Sequence, residues 1–370
     1  MFCQSKIKKY LIWFTTKSTA IILDSFLYLI ENATGIFISI IDFRRVKQNS
    51  NKIVLCRNKY YSINLFEKSM EQYHIDETLA YMNYQVELFF WDADCTLFVN
   101  QVKLWFRVRR VNPAAIFFSS YTPRQKRGSV QPSIMFLRKL KLKVNSSFVF
   151  LWWDTCSDDF YTQNITRLRN LKAIHLIMDN PELNFGEGNA KHDGQILIPL
   201  YTNYVKNSFI APLDKDLDVV FLGQVSSYRH GRREYVEYLM ESNVAGYVST
   251  LDRQHQPDHG KYAEIMGRAK IIINFSKSVN KHQLKGRVFE AMHAGAMLLE
   301  TDNTQIKTMF QDKVDYVSFS TKEDMVKKIK YYLDNDELRE SIASSGRKKV
   351  TEFYDSSYFC KAIFDNINIK

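Results

Sequence analysis

The stretch KIIINF (270–275), KGRVFEAMHAG (285–295) and AMLL (296–299) decides how this sequence folds. Lys270–Phe275 is a short, almost wholly apolar run, and so is Ala296–Leu299. Between them Arg287–His293 carries helical periodicity, and Gly295 stands where a helix stops. Strand, crossover helix and second strand make a parallel βαβ unit. Strands this uniformly apolar must be covered on both faces, which is the habit of parallel sheets.

The same alternation runs outward in both directions. Upstream come a strand at Leu217–Leu222, a helix over Arg233–Glu241, a strand at Val244–Val248 and a helix over Tyr262–Ala269. Downstream, helices over Asp324–Leu333 and Glu337–Phe353 finish the chain. In the first half, strands are expected at Lys52–Arg57, Val86–Trp91, Ala114–Ser119, Ser147–Trp153 and Ala173–Met178. Helices over Asn64–Asn83, Leu97–Val111 and Ser133–Leu142 lie between them. The rhythm breaks over Thr202–Asp216 and then restarts. An α/β protein of two facing Rossmann-like domains is expected, residues 51–210 and 211–370, behind a helical N-terminal extension of residues 1–50. A chain of 370 residues suits two domains.

Apolar segments near the N-terminus are interrupted by Lys17, Asp24 and Glu31. No uncharged run reaches the roughly 18–20 residues a spanning helix needs, and no signal-peptide pattern is present. Amphipathic or core-covering helices and a cytoplasmic protein are expected. The five cysteines are scattered and show no C-x-x-C spacing, so neither a disulfide framework nor a zinc site is expected.

The net charge of +11 has a location. From Cys95 through Trp153 there are eleven Lys and Arg and no Asp or Glu, so this stretch accounts for the whole surplus. A solvated basic face, an anionic membrane surface, a phosphorylated acceptor and nucleic acid would all suit it. Basic residues spread over several helices and strands match no reading-helix motif, which argues against nucleic acid. Lys6, Lys8 and Lys9 before the apolar N-terminus, and Arg44, Arg45 and Lys47 after it, suit peripheral attachment to an anionic bilayer.

No G-x-G-x-x-G follows a strand and no P-loop is present, which disfavours dinucleotide oxidoreductases and P-loop NTPases. Lys285 and Arg287 instead open a helix whose free N–H groups themselves attract anions. Glu290 follows one turn later. Two cations and a helix terminus suit a diphosphate, and a carboxylate one turn away can accept from ribose hydroxyls. The plain alternative is an amphipathic helix with a surface ion pair.

Lys285–Gly295, followed by Ala296–Glu300, Thr301 and Asp302, resembles the donor-site segment of family 1-type glycosyltransferases. It is most similar to the spore-maturation-like branch, whose pattern is K-x-R-x-F-E-A-x-x-x-G. Val220–Gly223 with Tyr228, Arg229 and Arg233, and the tail Glu323–Val350, are also similar to that family. The resemblance covers roughly residues 217–355. It implies the two-domain GT-B fold and sugar transfer from a nucleotide donor with no bound metal or cofactor. Donor-binding residues would be Gly223, Arg229, Arg233, Lys285, Arg287 and Glu290, with Glu290 on the ribose and Lys285 and Arg287 near the diphosphate. Many relatives carry an earlier glutamate eight positions before the second; here that position is His282.

An acceptor hydroxyl needs a base. Candidates stand after apolar strands of the first half: Asp92, Asp94 and Asp154, each of which could equally be a helix cap. Asp92 and Asp94 also match the metal-holding D-x-D pattern, which recurs at Asp214/Asp216, Asp216/Asp218 and Asp334/Asp336. The expected partners are a nucleotide-sugar donor, a glycan or lipid-linked acceptor and an anionic membrane surface. Three other readings stand beside this one: a glycosyltransferase-like protein that binds without turnover, a metal-dependent transferase using Asp92 and Asp94, and a nucleic-acid-binding protein.

Overall fold

The computed structural model describes residues 49–59, 75–91, 97–119, 121, 130–152, 164–177, 191–192, 195–199, 214–223, 225, 231–244, 246–249, 257, 259–276, 284–355 and 364–365. Residues 1–48 of the expected helical extension, and most of the helix expected over Asn64–Asn83, lie outside these, while Asn49 and Ser50 begin a strand rather than ending a helix.

Two parallel sheets form. The first contains β1 (Asn49–Arg57), β2 (Gln85–Phe90), β3 (Pro113–Ser119), β4 (Ser147–Trp152), β5 (Ile174–Ile177), β6 (Lys191–His192) and β7 (Gln195–Pro199), in the order β2-β1-β3-β4-β5-β7-β6. Among the described residues only the β6–β7 pair is antiparallel. Helices α1 (Glu77–Tyr81), α2 (Leu97–Val111) and α3 (Ile134–Lys143), with a 3₁₀ turn at Thr166–Leu171, supply the crossovers. Alternate residues of β1 divide between two cores. Val54 and Cys56 pack with Leu104, Trp105 and Phe136 of α2 and α3. Ile53 and Leu55 face the other way, with Ile75 and Leu79. Burial on both faces explains why β3 reads as an unbroken apolar run.

The second sheet contains β8 (Leu217–Leu222), β9 (Tyr247–Ser249), β10 (Ala269–Asn274), β11 (Met297–Thr301) and β12 (Val317–Phe319), in the order β12-β11-β10-β8-β9. Its helices are α4 (Arg232–Glu241), α5 (His259–Arg268), α6 (Gly286–His293), α7 (Thr304–Lys307), α8 (Lys322–Leu333) and α9 (Asp336–Phe353). One core joins β8 and β10 to α5 and α6, and the other joins them to α4 and α8. Gly295 adopts a φ of 68° just after α6, so the chain leaves the helix and enters β11 within two residues.

Strand β9 starts later than the sequence suggests, because Asn243 takes a left-handed turn (φ 57°) and Gly246 lies against the β8 backbone. A Cβ there would stand 2.9 Å from the Val219 carbonyl oxygen, to which the Gly246 N–H donates. Strands β6 and β12 and helix α7 are too short to carry a periodicity of their own.

The end of the chain returns to the first sheet. Phe364 is buried in the core of Ile53, Leu55 and Leu79 and stacks on Tyr84 with ring centroids 4.0 Å apart. Each sheet has a crossover switch point, between β1 and β3 in the first and between β8 and β10 in the second. Open α/β sheets bind ligands beyond the carboxyl ends of their strands at such points.

Candidate active site

At the β8/β10 switch point the chain brings together Gly223, Arg287 and Glu290, three of the residues expected on the donor. Gly223 ends β8 without a side chain; a Cβ there would lie 3.2 Å from Arg287 Nη1 and 3.0 Å from the Phe221 ring. The glycine lets the β8 loop pass over the guanidinium. Lys285 is the N-cap of α6, in extended backbone geometry, and Arg287 and Glu290 follow within its first turn and a half.

Glu290 is 6% exposed. Its Oε2 accepts a hydrogen bond from the Tyr262 hydroxyl of α5 at 2.5 Å. Its second oxygen has no partner among the described residues. Burial pushes the Glu290 carboxyl above the usual carboxylate range, against the Tyr262 hydrogen bond and the nearby Arg287 charge. Tyr262 itself is pushed up by burial and by Glu290, so it stays a protonated donor.

Arg287 reaches the other way. Its Nη1 donates to Asn274 Oδ1 at the end of β10 (3.1 Å), and its enclosed Nε has no partner among the described residues. Desolvation works against the charge, but Tyr262 and Glu290, with Glu300 farther off, outweigh it and raise the guanidinium pKa. A fixed cation, the free N–H groups of a helix N-terminus and an open carboxylate oxygen thus line one strand end. Such an arrangement can hold an anionic group attached to a hydroxyl-rich ring.

The remaining expected residues divide. Arg233 is exposed on the first turn of α4, whereas its neighbour Arg232 is buried, donating from Nη2 to the Phe275 carbonyl (2.6 Å) and lying over the Phe275 ring. Helical geometry sends adjacent side chains about 100° apart, and the sequence alone does not show which of two successive arginines faces inward. Arg229, Asp92, Asp94, Asp154 and His282 lie outside the described residues. Strands β2 and β4, which the three aspartates follow, end at Phe90 and Trp152.

Other D-x-D matches have structural partners. Asp216 accepts from Arg268 Nε (2.8 Å) and Nη2 (2.5 Å), Asp218 pairs with Lys270 (2.6 Å), and Asp336 pairs with Arg339. Asp216 and Asp218 sit at the start of β8, the end of the strand opposite Gly223. Among the described residues no group of acidic, His and Cys side chains is arranged to hold a metal.

Tyr262, Asn274, Ser276 and Glu300 were not legible as site residues. Each looks like an ordinary polar residue in sequence, and only the register Asn274↔Glu300 across β10 and β11 joins the last three.

Residues 206–365 match the family model described as glycosyl transferase-like. The match lies wholly in the second half of the chain. No curated protein matches the sequence. Among solved structures, a glycosyltransferase from Rickettsia africae is similar over 88% of this chain and 99% of its own, with 11% identity and a TM-score of 0.59. HepE of Anabaena, solved with UDP and glucose, covers 86% of this chain and 99% of its own, at 11% identity and a TM-score of 0.56. Sucrose-phosphate synthase from Thermosynechococcus elongatus covers 86% and 100%, at 12% identity and a TM-score of 0.54. Two Rossmann-like domains with this topology make the fold GT-B. The matched residues 206–365 contain the whole Gly223–Arg287–Glu290 cluster.

Proposed function

We propose that this GT-B protein transfers a sugar from a nucleoside-diphosphate sugar to a hydroxyl, with the donor held beyond β8 and β10. The supporting observation is the convergence of Gly223, Arg287 and Glu290 on the N-terminus of α6. Structural likeness to HepE, solved with UDP and glucose, points the same way. The K-x-R-x-F-E-A-x-x-x-G pattern supports a reading within the spore-maturation-like branch of family 1-type glycosyltransferases.

In this reading Glu290 accepts from the ribose hydroxyls with its open oxygen, while Tyr262 fixes the other. Lys285, Arg287 and the α6 N–H groups bind the diphosphate. As the bond from the anomeric carbon to the β-phosphate oxygen breaks, its electron pair stays on the departing nucleoside diphosphate. Preorganised cations and N–H dipoles stabilise that developing charge without a metal ion; removing one such donor from an oxyanion hole costs about 2.7–4 kcal/mol. The acceptor oxygen bonds to the anomeric carbon and its proton passes to a base, for which Asp92, Asp94 and Asp154 are the candidates. His282 at the position of the family's first glutamate favours a second reading, in which the donor binds and no sugar is transferred.

The acceptor half carries a feature that suits a membrane surface. A groove of about 440 Å³ between β2 and α2 is lined by Leu88, Phe90, Lys103, Phe106, Arg107 and Arg110. Phe106 is 52% exposed. An apolar floor with a cationic rim fits an anionic bilayer and a lipid-linked acceptor.

Titration of UDP into Glu290→Ala and Arg287→Ala tests the donor site. Each variant is expected to bind at least tenfold more weakly, about 1.4 kcal/mol. Folded variants with the affinity of the unaltered protein would remove the assignment. Release of UDP from UDP-sugars with an added acceptor separates transfer from binding alone.

A further inference from the structure

A cluster of buried polar groups in the second domain surrounds Glu300, which no step above uses. Glu300 is 0% exposed, and so is Asn274 beside it; Ser276 is 1% exposed. Four donors converge on this one carboxylate. Oε1 accepts from the Ser276 N–H (2.9 Å) and the Thr301 hydroxyl (2.6 Å). Oε2 accepts from Asn274 Nδ2 (2.6 Å) and the Ser276 hydroxyl (3.1 Å). All four partners are neutral, and burial pushes the Glu300 carboxyl up against their combined pull.

An ionised carboxylate has no proton to give, so every group facing it must donate. This fixes the Asn274 amide. Its NH₂ is held by Glu300 and by Ser276 Oγ (3.0 Å), and its carbonyl oxygen must then face away. It faces Arg287 Nη1 and accepts from it. Glu300 thus sets which end of Asn274 meets the guanidinium, and so where that guanidinium stands beneath Gly223.

We propose that Glu300 is a positioning residue for the donor diphosphate: by orienting Asn274 it holds Arg287 in its phosphate-binding pose. This rests on the donor-site reading above. Removing only the charge, as in Glu300→Gln, places an amide donor where donors already converge. Rotation of the Ser276 hydroxyl absorbs part of that conflict. Asn274 relieves the rest by flipping, and its NH₂ then confronts Arg287, donor against donor.

The experiment measures UDP and inorganic diphosphate affinity by calorimetry, with thermal unfolding alongside, on four variants of the full chain. Glu300→Gln is expected to weaken both ligands tenfold or more. In an Arg287→Ala background the same change should add nothing, because both act through one guanidinium. Exchanging the two groups, in Asn274→Asp with Glu300→Gln, restores the pattern. The carboxylate introduced on β10 would accept from Arg287 with one oxygen and from the amide introduced on β11 with the other. Recovery to within about threefold of the unaltered protein is expected. A buried residue with only a structural role would lower the unfolding temperature of Glu300→Gln without this pattern of affinities. Unchanged affinity in folded Glu300→Gln overturns the proposal, and so does failure of the double exchange to recover binding in a folded protein. If Arg287→Ala weakens binding in those same experiments, the donor-site reading survives that loss. An unaltered protein that binds neither UDP nor diphosphate overturns both.

Discussion

At the scale of single residues, Gly223 shows how a missing side chain can shape a site. Its place at the end of β8 leaves room for Arg287, and an added methyl would meet Arg287 Nη1 at 3.2 Å and the Phe221 ring at 3.0–3.3 Å. The rigid ring yields less readily than the guanidinium, so the methyl displaces Arg287 by a few tenths of an ångström. Gly223→Ala is expected to weaken UDP binding about three- to tenfold while leaving the unfolding temperature nearly unchanged. Paired calorimetric titration and thermal melts check this; an affinity equal to that of the unaltered protein would show that Arg287 is not held by close packing. The contrast with Arg233 is instructive. Arg233 has the charge that the family pattern leads one to expect, yet Arg232 is the buried one, and it holds the Phe275 carbonyl beside the site.

Helix ends carry the argument at the scale of elements. Helices α5 and α6 finish close together, and Lys215 reaches from the segment before β8 to donate to the carbonyls of Gly267 (2.8 Å) and Ala294 (2.9 Å). One ammonium serves two helix C-termini, where the macrodipoles favour a cation. Burial and the nearby Arg347 lower its pKa to about 8 in the folded protein, from an ordinary value of 10.5. Between these values the unfolded chain binds a proton that the folded chain has released. Lys215 therefore makes stability rise with pH through this window, and its full cost is present below about pH 8. Urea midpoints measured from pH 7.5 to 9.5 are expected to climb more steeply in the unaltered protein than in Lys215→Met. Parallel slopes would show that the ammonium is solvated in the native state. Helix α9 illustrates the packing side of the same scale: a Cβ on Gly346 would stand 2.4 Å from the Asp315 carbonyl oxygen, so the helix approaches that loop as closely as only glycine allows.

For the whole molecule, charge has to be judged after folding. The stretch from Cys95 to Trp153 contains no acid, yet Glu87 of β2 reaches across to Arg107 and to Arg110 (2.7 Å) of α2. Part of the apparent basic field is thereby answered from the neighbouring strand, and Lys103 and Phe106 line the groove. Among the described residues no helix is long and apolar enough to cross a membrane. Each basic residue near an anionic bilayer contributes about 1 kcal/mol. Lys103→Glu with Phe106→Ser is therefore expected to reduce co-sedimentation with phosphatidylglycerol vesicles about tenfold or more, with neutral vesicles binding weakly throughout. Equal binding to both vesicle types would sink the membrane proposal and leave the donor site untouched.

The sequence by itself determined the class of fold, because strands such as β3, β8 and β10 are apolar on both faces and only a covered parallel sheet satisfies them. It also marked out the α6 segment, since Lys285, Arg287, Glu290 and Gly295 are spaced along one helix and its ends. What it did not contain were relations between residues far apart in the chain. Tyr262 meets Glu290 across 28 positions, and Asn274 meets Glu300 across 26, because α5 packs beside α6 and β10 lies in register with β11. Phe364 enters the first core although the sequence places it at the end of the second half. Local periodicity records which face of an element is buried; tertiary structure alone decides what that face is buried against.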